Sequence, residues 1–235
     1  MRKILTRILS VCLLFTLFGC SSSTVDTDDV NVVFDALDTT LNAKSGILTG
    51  TFEYDTKTDQ KINFTIQLIQ NGNMQIAATM GLESQGNKID DYLDFYIKDG
   101  KTYLNNMGTT SQSLASNIGI DTSKTLSVYN PFLDLTDSEI KALFTSSSKK
   151  DNTYTLVIDS EQLTTLLDGM GTLSISKAKV IATVEKDHLS NLQITIDGYQ
   201  AYEETSYDVS IQIDCTLTDY NALNKITFPE DLENY

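Results

Sequence analysis

The sequence predicts an α+β domain that is mainly antiparallel β. Three observations carry this. Apolar and polar residues alternate with period two over most of the chain after residue 45. Turn pairs such as Asn71-Gly72 and Asp99-Gly100 stand between the alternating runs. Helical spacing is confined to one segment before the first run and two short ones near the middle.

The first segment is a helix from Val30, where Val30, Val33, Phe34, Leu37 and Leu41 recur at spacings of three and four. Asp28 or Asp29 is placed to cap it, and acids suit that end of the helix dipole. Strands follow at Leu48–Tyr54 and Lys61–Leu68. Asn71-Gly72 is expected to close a two-residue hairpin onto Met74–Ala78, since both turn positions tolerate positive φ. Asp90 and Asp91 are expected in a loop, followed by a strand at Leu93–Ile97. Asp99-Gly100 turns it into Lys101–Leu104. From Gly108 to Ser148 the alternation stops. A short helix is expected at Ser138–Ser146, capped by Thr136 or Asp137, and Pro131 marks a turn. This stretch reads as a lid or a helical crossover. Strands resume at Tyr154–Ile158. A helix at Ser160–Leu167 ends at Gly169. Strands then follow at Leu173–Ser176, Ala178–Lys186, Leu189–Asp197 and Tyr202–Thr218, with an edge segment at Asn224–Glu230.

The start of the chain has a different character. Arg2, Lys3 and Arg7 precede the apolar run Ile8–Gly19, and Ser21-Ser22-Ser23-Thr24 follow Cys20. A basic start, a short apolar core and a small residue before a cut describe a secretory signal peptide. The run is short for a spanning helix, which needs roughly 20 apolar residues. Leu17-Phe18-Gly19-Cys20 resembles the lipobox of bacterial lipoproteins, with Phe18 bulkier than the usual residue there. The resemblance implies acylation of the Cys20 thiol and cleavage before it. The alternative is an ordinary signal peptide cut elsewhere. The expected organisation is a signal peptide at 1–19, a polar tether at 20–29 and one domain at 30–235. Two acyl chains hold a protein at a membrane where one is marginal.

Charge and chemistry limit the function classes. The formal charge is −15, and it becomes −18 once Arg2, Lys3 and Arg7 leave with residues 1–19. Such acidity argues against nucleic acid, whose phosphates need Lys and Arg, and against lying flat on anionic lipid. Asp26, Asp28 and Asp29 lack the ligand spacing of an EF-hand loop. Cys12 would leave with the signal and Cys20 would be acylated, so Cys215 has no partner for an intrachain disulfide. Its alternating context, Tyr207–Leu217, places it on an apolar face as a structural thiol rather than a nucleophile. The single histidine, His188, lies between charged residues in an expected solvated turn. One His and one free Cys make no zinc cluster, and no nucleophile elbow, P-loop or dinucleotide fingerprint is present. No catalytic residue, metal or cofactor is expected, and the chain reads as a non-enzyme.

The order of elements, with Val184–Ile194 as a late turn and Ile226-Thr227-Phe228-Pro229-Glu230 near the end, resembles the LolA/LppX-like group of exported lipoproteins and lipoprotein carriers. The resemblance covers roughly residues 30–230. It implies a strongly curved sheet, a half-barrel whose concave face is covered by the N-terminal helix and the short mid-chain helices. In several members of the group that face holds acyl chains or lipidated partners. Phe52, Phe64, Ile66, Leu68, Phe95, Ile97, Ile211 and Ile213 are the candidate concave apolar face, and plain core packing is the competing reading for each. Two functions stay open: a membrane-anchored module binding lipid or another apolar ligand, and a non-catalytic surface protein presenting loops or the Gly108–Ser127 stretch to a partner. An apolar cavity on the concave face favours the first, and a fully packed face the second.

Overall fold

The computed structural model describes residues 24–56, 58–167, 173–202 and 205–235. Residues 1–19, Cys20 and Gly169 lie outside them. Eleven strands form one open sheet: β1 (Ser45–Asp55), β2 (Gln60–Ile69), β3 (Gln75–Ser84), β4 (Asn87–Lys98), β5 (Lys101–Asn106), β6 (Thr109–Leu114), β7 (Phe144–Lys150), β8 (Thr153–Ile158), β9 (Leu173–Glu185), β10 (His188–Tyr202) and β11 (Thr205–Thr218). The spatial order is β6-β5-β4-β3-β2-β1-β11-β10-β9-β8-β7, antiparallel throughout. The chain thus builds one half outward from β1 to β6 and returns inward from β7 to β11. The β1–β11 pair, with Phe52 opposite Ile213, joins the halves. The result is the curved α+β half-barrel expected from the sequence.

Three α-helices lie on the inner face: α1 (Thr27–Leu41), α2 (Asp137–Leu143) and α3 (Ser160–Leu167). Val30, Val33, Phe34 and Ala36 of α1 pack with Ile140 of α2 against Phe144, Tyr154, Leu156 and Ala182 of β7–β9. Leu163 of α3 meets Ile175 and Ala178 of β9. These helices therefore cover the β7–β10 half.

Several local expectations are corrected. Helix α1 begins at Thr27, not Val30, because Asp26 is the cap: its carboxylate accepts the Asp28 N–H at 3.0 Å. The polar tether expected to reach residue 29 is already packed from Thr24, which bridges to Ser146 of β7, and Val25 is buried. The β2–β3 connection is a five-residue loop, 70–74, rather than a two-residue turn at Asn71-Gly72. The Gln70 N–H bonds Lys44 O and the Met74 N–H bonds Thr122 O, so both are held outside the ladder. Asp90 and Asp91 belong to β4, since the turn falls earlier, at Gln85-Gly86, with φ of 51° and 78°. Thr109–Leu114 is a strand despite its polarity, because an edge strand with all six residues exposed has no face to bury. Helix α2 stops at Leu143, since Phe144 starts β7 opposite Ile158. The two runs from Leu173 to Lys186 are one strand, β9, with a register shift opposite Asp197 and Gly198. Residues 224–230 pair with no strand. Ile226, Phe228, Leu232 and Tyr235 instead pack across the outer face on Ile69, Ala77, Tyr96 and Tyr103.

Candidate functional site

Register places all eight candidate residues on one face. Across the sheet, Phe95 faces Ala78, Ala78 faces Ile66, and Ile66 faces Leu48. Ile97, Ile76 and Leu68 form the next row. Phe64, Gly50, Cys215, Leu192 and Ala182 form another, as do Phe52, Ile213, Ile194, Val180 and Leu156. Ile211 opposes Tyr54 and Ile196. Ala182 and Leu156 lie under α1 and α2, so this is the helix-covered, inner face.

Helical cover, rather than burial, divides that face in two. Val30 and Ile140 of the helices and Ala178 and Ala182 beneath them are 0% exposed, while Val180, Leu192, Ile194 and Ile196 on the same side are half-buried. Over β1–β4 and β11 cover is partial: Phe52, Phe64, Ile66, Leu68, Phe95, Ile211 and Ile213 are half-buried, and of the eight only Ile97 is fully buried. The helices thus lie over β7–β10, and the apolar side chains of β1–β4 and β11 form the trough beside them, without helical cover. Cys215, on the trough floor, is half-buried rather than buried. Burial, with Asp214 beside it, raises its thiol pKa, which keeps it in the protonated, unreactive form.

Part of the stretch expected to be a lid or a helical crossover lies against α1 and the 70–74 loop. Residues 115–135 run from β6 back to α1. Ala115 N–H bonds Gly100 O, and Thr122 O accepts the Met74 N–H. Gln70 Oε1 accepts the Leu126 N–H at 2.6 Å while its Nε2 donates to Ala43 O. Asn42 Oδ1 accepts the Val128 N–H. Asn130, 1% exposed, donates to Phe34 O at 2.9 Å and accepts the Phe132 N–H. Phe132 stacks on Phe34 with ring centroids 4.9 Å apart. Three side-chain amides therefore satisfy the backbone of this strap and hold it against the domain. Ala115 is buried and Leu135 packs on the core, while Leu126, Val128, Tyr129, Phe132 and Leu133 remain exposed. The one available signal was Asn130-Pro131, a cap followed by a first-turn proline. Gln70 and Asn42 had no signal, because their partners are distant in sequence.

The other expected features offer no chemistry. His188 is not a solvated turn residue. It opens β10 and stacks on Tyr220 at 3.8 Å, with 12% of its side chain exposed, because the chain after β11 folds back over it. Asp26, Asp28 and Asp29 serve the start of α1, and no group of three or more metal-ligating side chains is found among the described residues. No helix among the described residues is long and apolar enough to cross a membrane. A polar hollow of ≈ 470 Å³ at the ends of β1–β4 is lined by Glu53, Asp55, Lys61, Glu83 and Lys88; it lies apart from the trough.

The described residues form an open antiparallel half-barrel with helices on its inner face, the architecture that the resemblance implies. No protein-family model matches the chain, and no curated protein does. Among solved structures it is similar to LprF from Mycobacterium bovis, at 11% identity and a TM-score of 0.41, covering 88% of this chain and 99% of that one. It is also similar to the LolA superfamily protein NE2245 from Nitrosomonas europaea, at 8% identity and a TM-score of 0.25, covering 90% and 99%. Likenesses of this degree assign no residue and no ligand to this chain.

Proposed function

We propose that the protein is a membrane-anchored lipoprotein on the extracytoplasmic face of the cell membrane, held by acyl chains on Cys20, and that its domain is a non-catalytic module binding lipid or another apolar ligand in the trough. One observation carries the binding reading. Seven of the eight candidate side chains share an apolar face that the helices leave half-covered. Leaving that face part-exposed to water costs about 25 cal/mol for each Å² of apolar surface that stays wet. An apolar chain laid along it removes that cost.

The test is organic extraction of the purified protein, with mass spectrometry of the extract and titration with a fluorescent fatty acid. Lipid in the extract, together with uptake that Phe64→Asp abolishes, is the expected result. An empty extract and no uptake would sink the binding reading. For the anchor, Cys20→Ser should move the protein from the membrane fraction to the soluble one. An unchanged membrane fraction would refute it.

The second reading, a surface interaction protein, is favoured by the strap. A row of five exposed apolar residues fixed by buried amides is a surface that a protein partner could cover. Substituting Tyr129 and Leu133 together with Ser would weaken such a partner and leave fatty-acid uptake intact.

A further inference from the structure

The two edges of the sheet differ. At β7, the N-terminal segment lies alongside: Thr24 bridges to Ser146, Asp26 N–H donates to Ser147 Oγ at 2.7 Å, and Lys149 and Lys150 end the strand. At β6 the outer side has no bridge among the described residues. Thr109–Leu114 carries no charge and no proline, the two usual guards of an edge. Ala115 donates its N–H to Gly100 O, toward β5. Strand alternation then points the N–H and C=O groups of Thr110 and Gln112 and the N–H of Leu114 outward, while Leu114 C=O caps the turn of helix at Ala115–Ile118. The setting is uncharged too. Residues 102–120 contain no Asp, Glu, Lys, Arg or His in a chain of net charge −15.

We propose that β6 pairs with β6 of a second copy, antiparallel and centred on Gln112. The occupant follows from symmetry and charge. An antiparallel pair of identical strands is self-complementary about a two-fold axis. Two strongly acidic copies repel each other everywhere except at an uncharged patch. In this register Gln112 faces Gln112, and Thr110 faces Leu114 of the other copy. The axis stands perpendicular to the sheet, so both inner faces open to the same side. This inference is independent of what the trough binds.

The test uses the full chain in detergent, by sedimentation across a concentration series and by hydrogen exchange. The expected result is a monomer–dimer equilibrium with protection of the Thr110, Gln112 and Leu114 amides that grows with concentration. Gln112→Lys places like charges opposite each other and should weaken association by roughly tenfold or more. Gln112→Pro removes an outward N–H without breaking a bond to β5 and should do the same. A monomer at every concentration would overturn the proposal. So would association that both variants leave unchanged, or free exchange of the three amides throughout.

Discussion

A Cβ on Gly50 would meet Asp214 O at 2.4 Å and Phe64 Cζ at 2.6 Å. The glycine is there to let the Phe64 ring lie across β1 on the trough floor. Gly50→Ala must displace that ring or the β11 backbone and should cost about 1–3 kcal/mol, read as a lower denaturant midpoint. On the outer face, Asp94 is 5% exposed and accepts one hydrogen bond, from Asn105 Nδ2 at 3.1 Å. Burial outweighs that bond and raises its carboxyl pKa. A carboxyl raised on folding binds its proton more tightly in the native state. Its contribution is therefore most favourable below the unfolded pKa and is lost as pH rises through the folded one. Asp94→Asn should raise Tm at neutral pH, with the gain over wild type vanishing on acidification. An equal offset at both ends of a pH series of melting curves would contradict this. The inward direction of the trough residues was legible because a period of two fixes the face. Their degree of cover was not, since half-buried and buried side chains alternate alike.

Among the elements, those with local causes were the easiest to read. Helix α2 is held by a reciprocal cap: Thr136 Oγ1 accepts the Glu139 N–H at 3.4 Å, and Glu139 Oε2 accepts the Thr136 N–H at 2.8 Å. Thr136→Ala should cost about 1 kcal/mol, seen in chemical denaturation. Helix α3 and the Asp99-Gly100 turn, with φ of 52° and 77°, likewise follow from their own residues. Strand β6 was missed because its stability comes from β5 alone and leaves no apolar face to read. The 70–74 loop was misread because long-range bonds to Lys44 and Thr122 override the turn preference of Asn71-Gly72. The strap depends most on such bonds. Asn130→Ala removes the second donor to the Phe34 carbonyl, which keeps its intrahelical bond, and leaves the Phe132 N–H without its acceptor; it should cost about 1–3 kcal/mol. Limited proteolysis should then cut within residues 121–134 faster than in wild type, while the sheet persists.

At the scale of the molecule, charge and connectivity dominate. A net −15 spread over the chain repels itself, and salt screens that repulsion. Raising salt from about 10 mM to about 0.5 M should lift Tm by about 2–4 °C, the shift that ~1 kcal/mol gives a chain of this size. Scanning calorimetry checks it, and a fall in Tm would contradict it. The half-barrel class was readable from alternation and element order, but the pairing of β1 with β11 was not, since no local signal joins Ile47 to Thr218. That pairing has a consequence for synthesis. The centre of the sheet needs β11, made after the ten other strands, and the outer face of β3–β5 waits longer still, for Ile226 to Tyr235. Contacts this distant in sequence form slowly. A chain emerging from the ribosome therefore has no complete sheet to fold while its later residues are unmade. Its two halves stay unjoined until β11 has emerged to pair with β1.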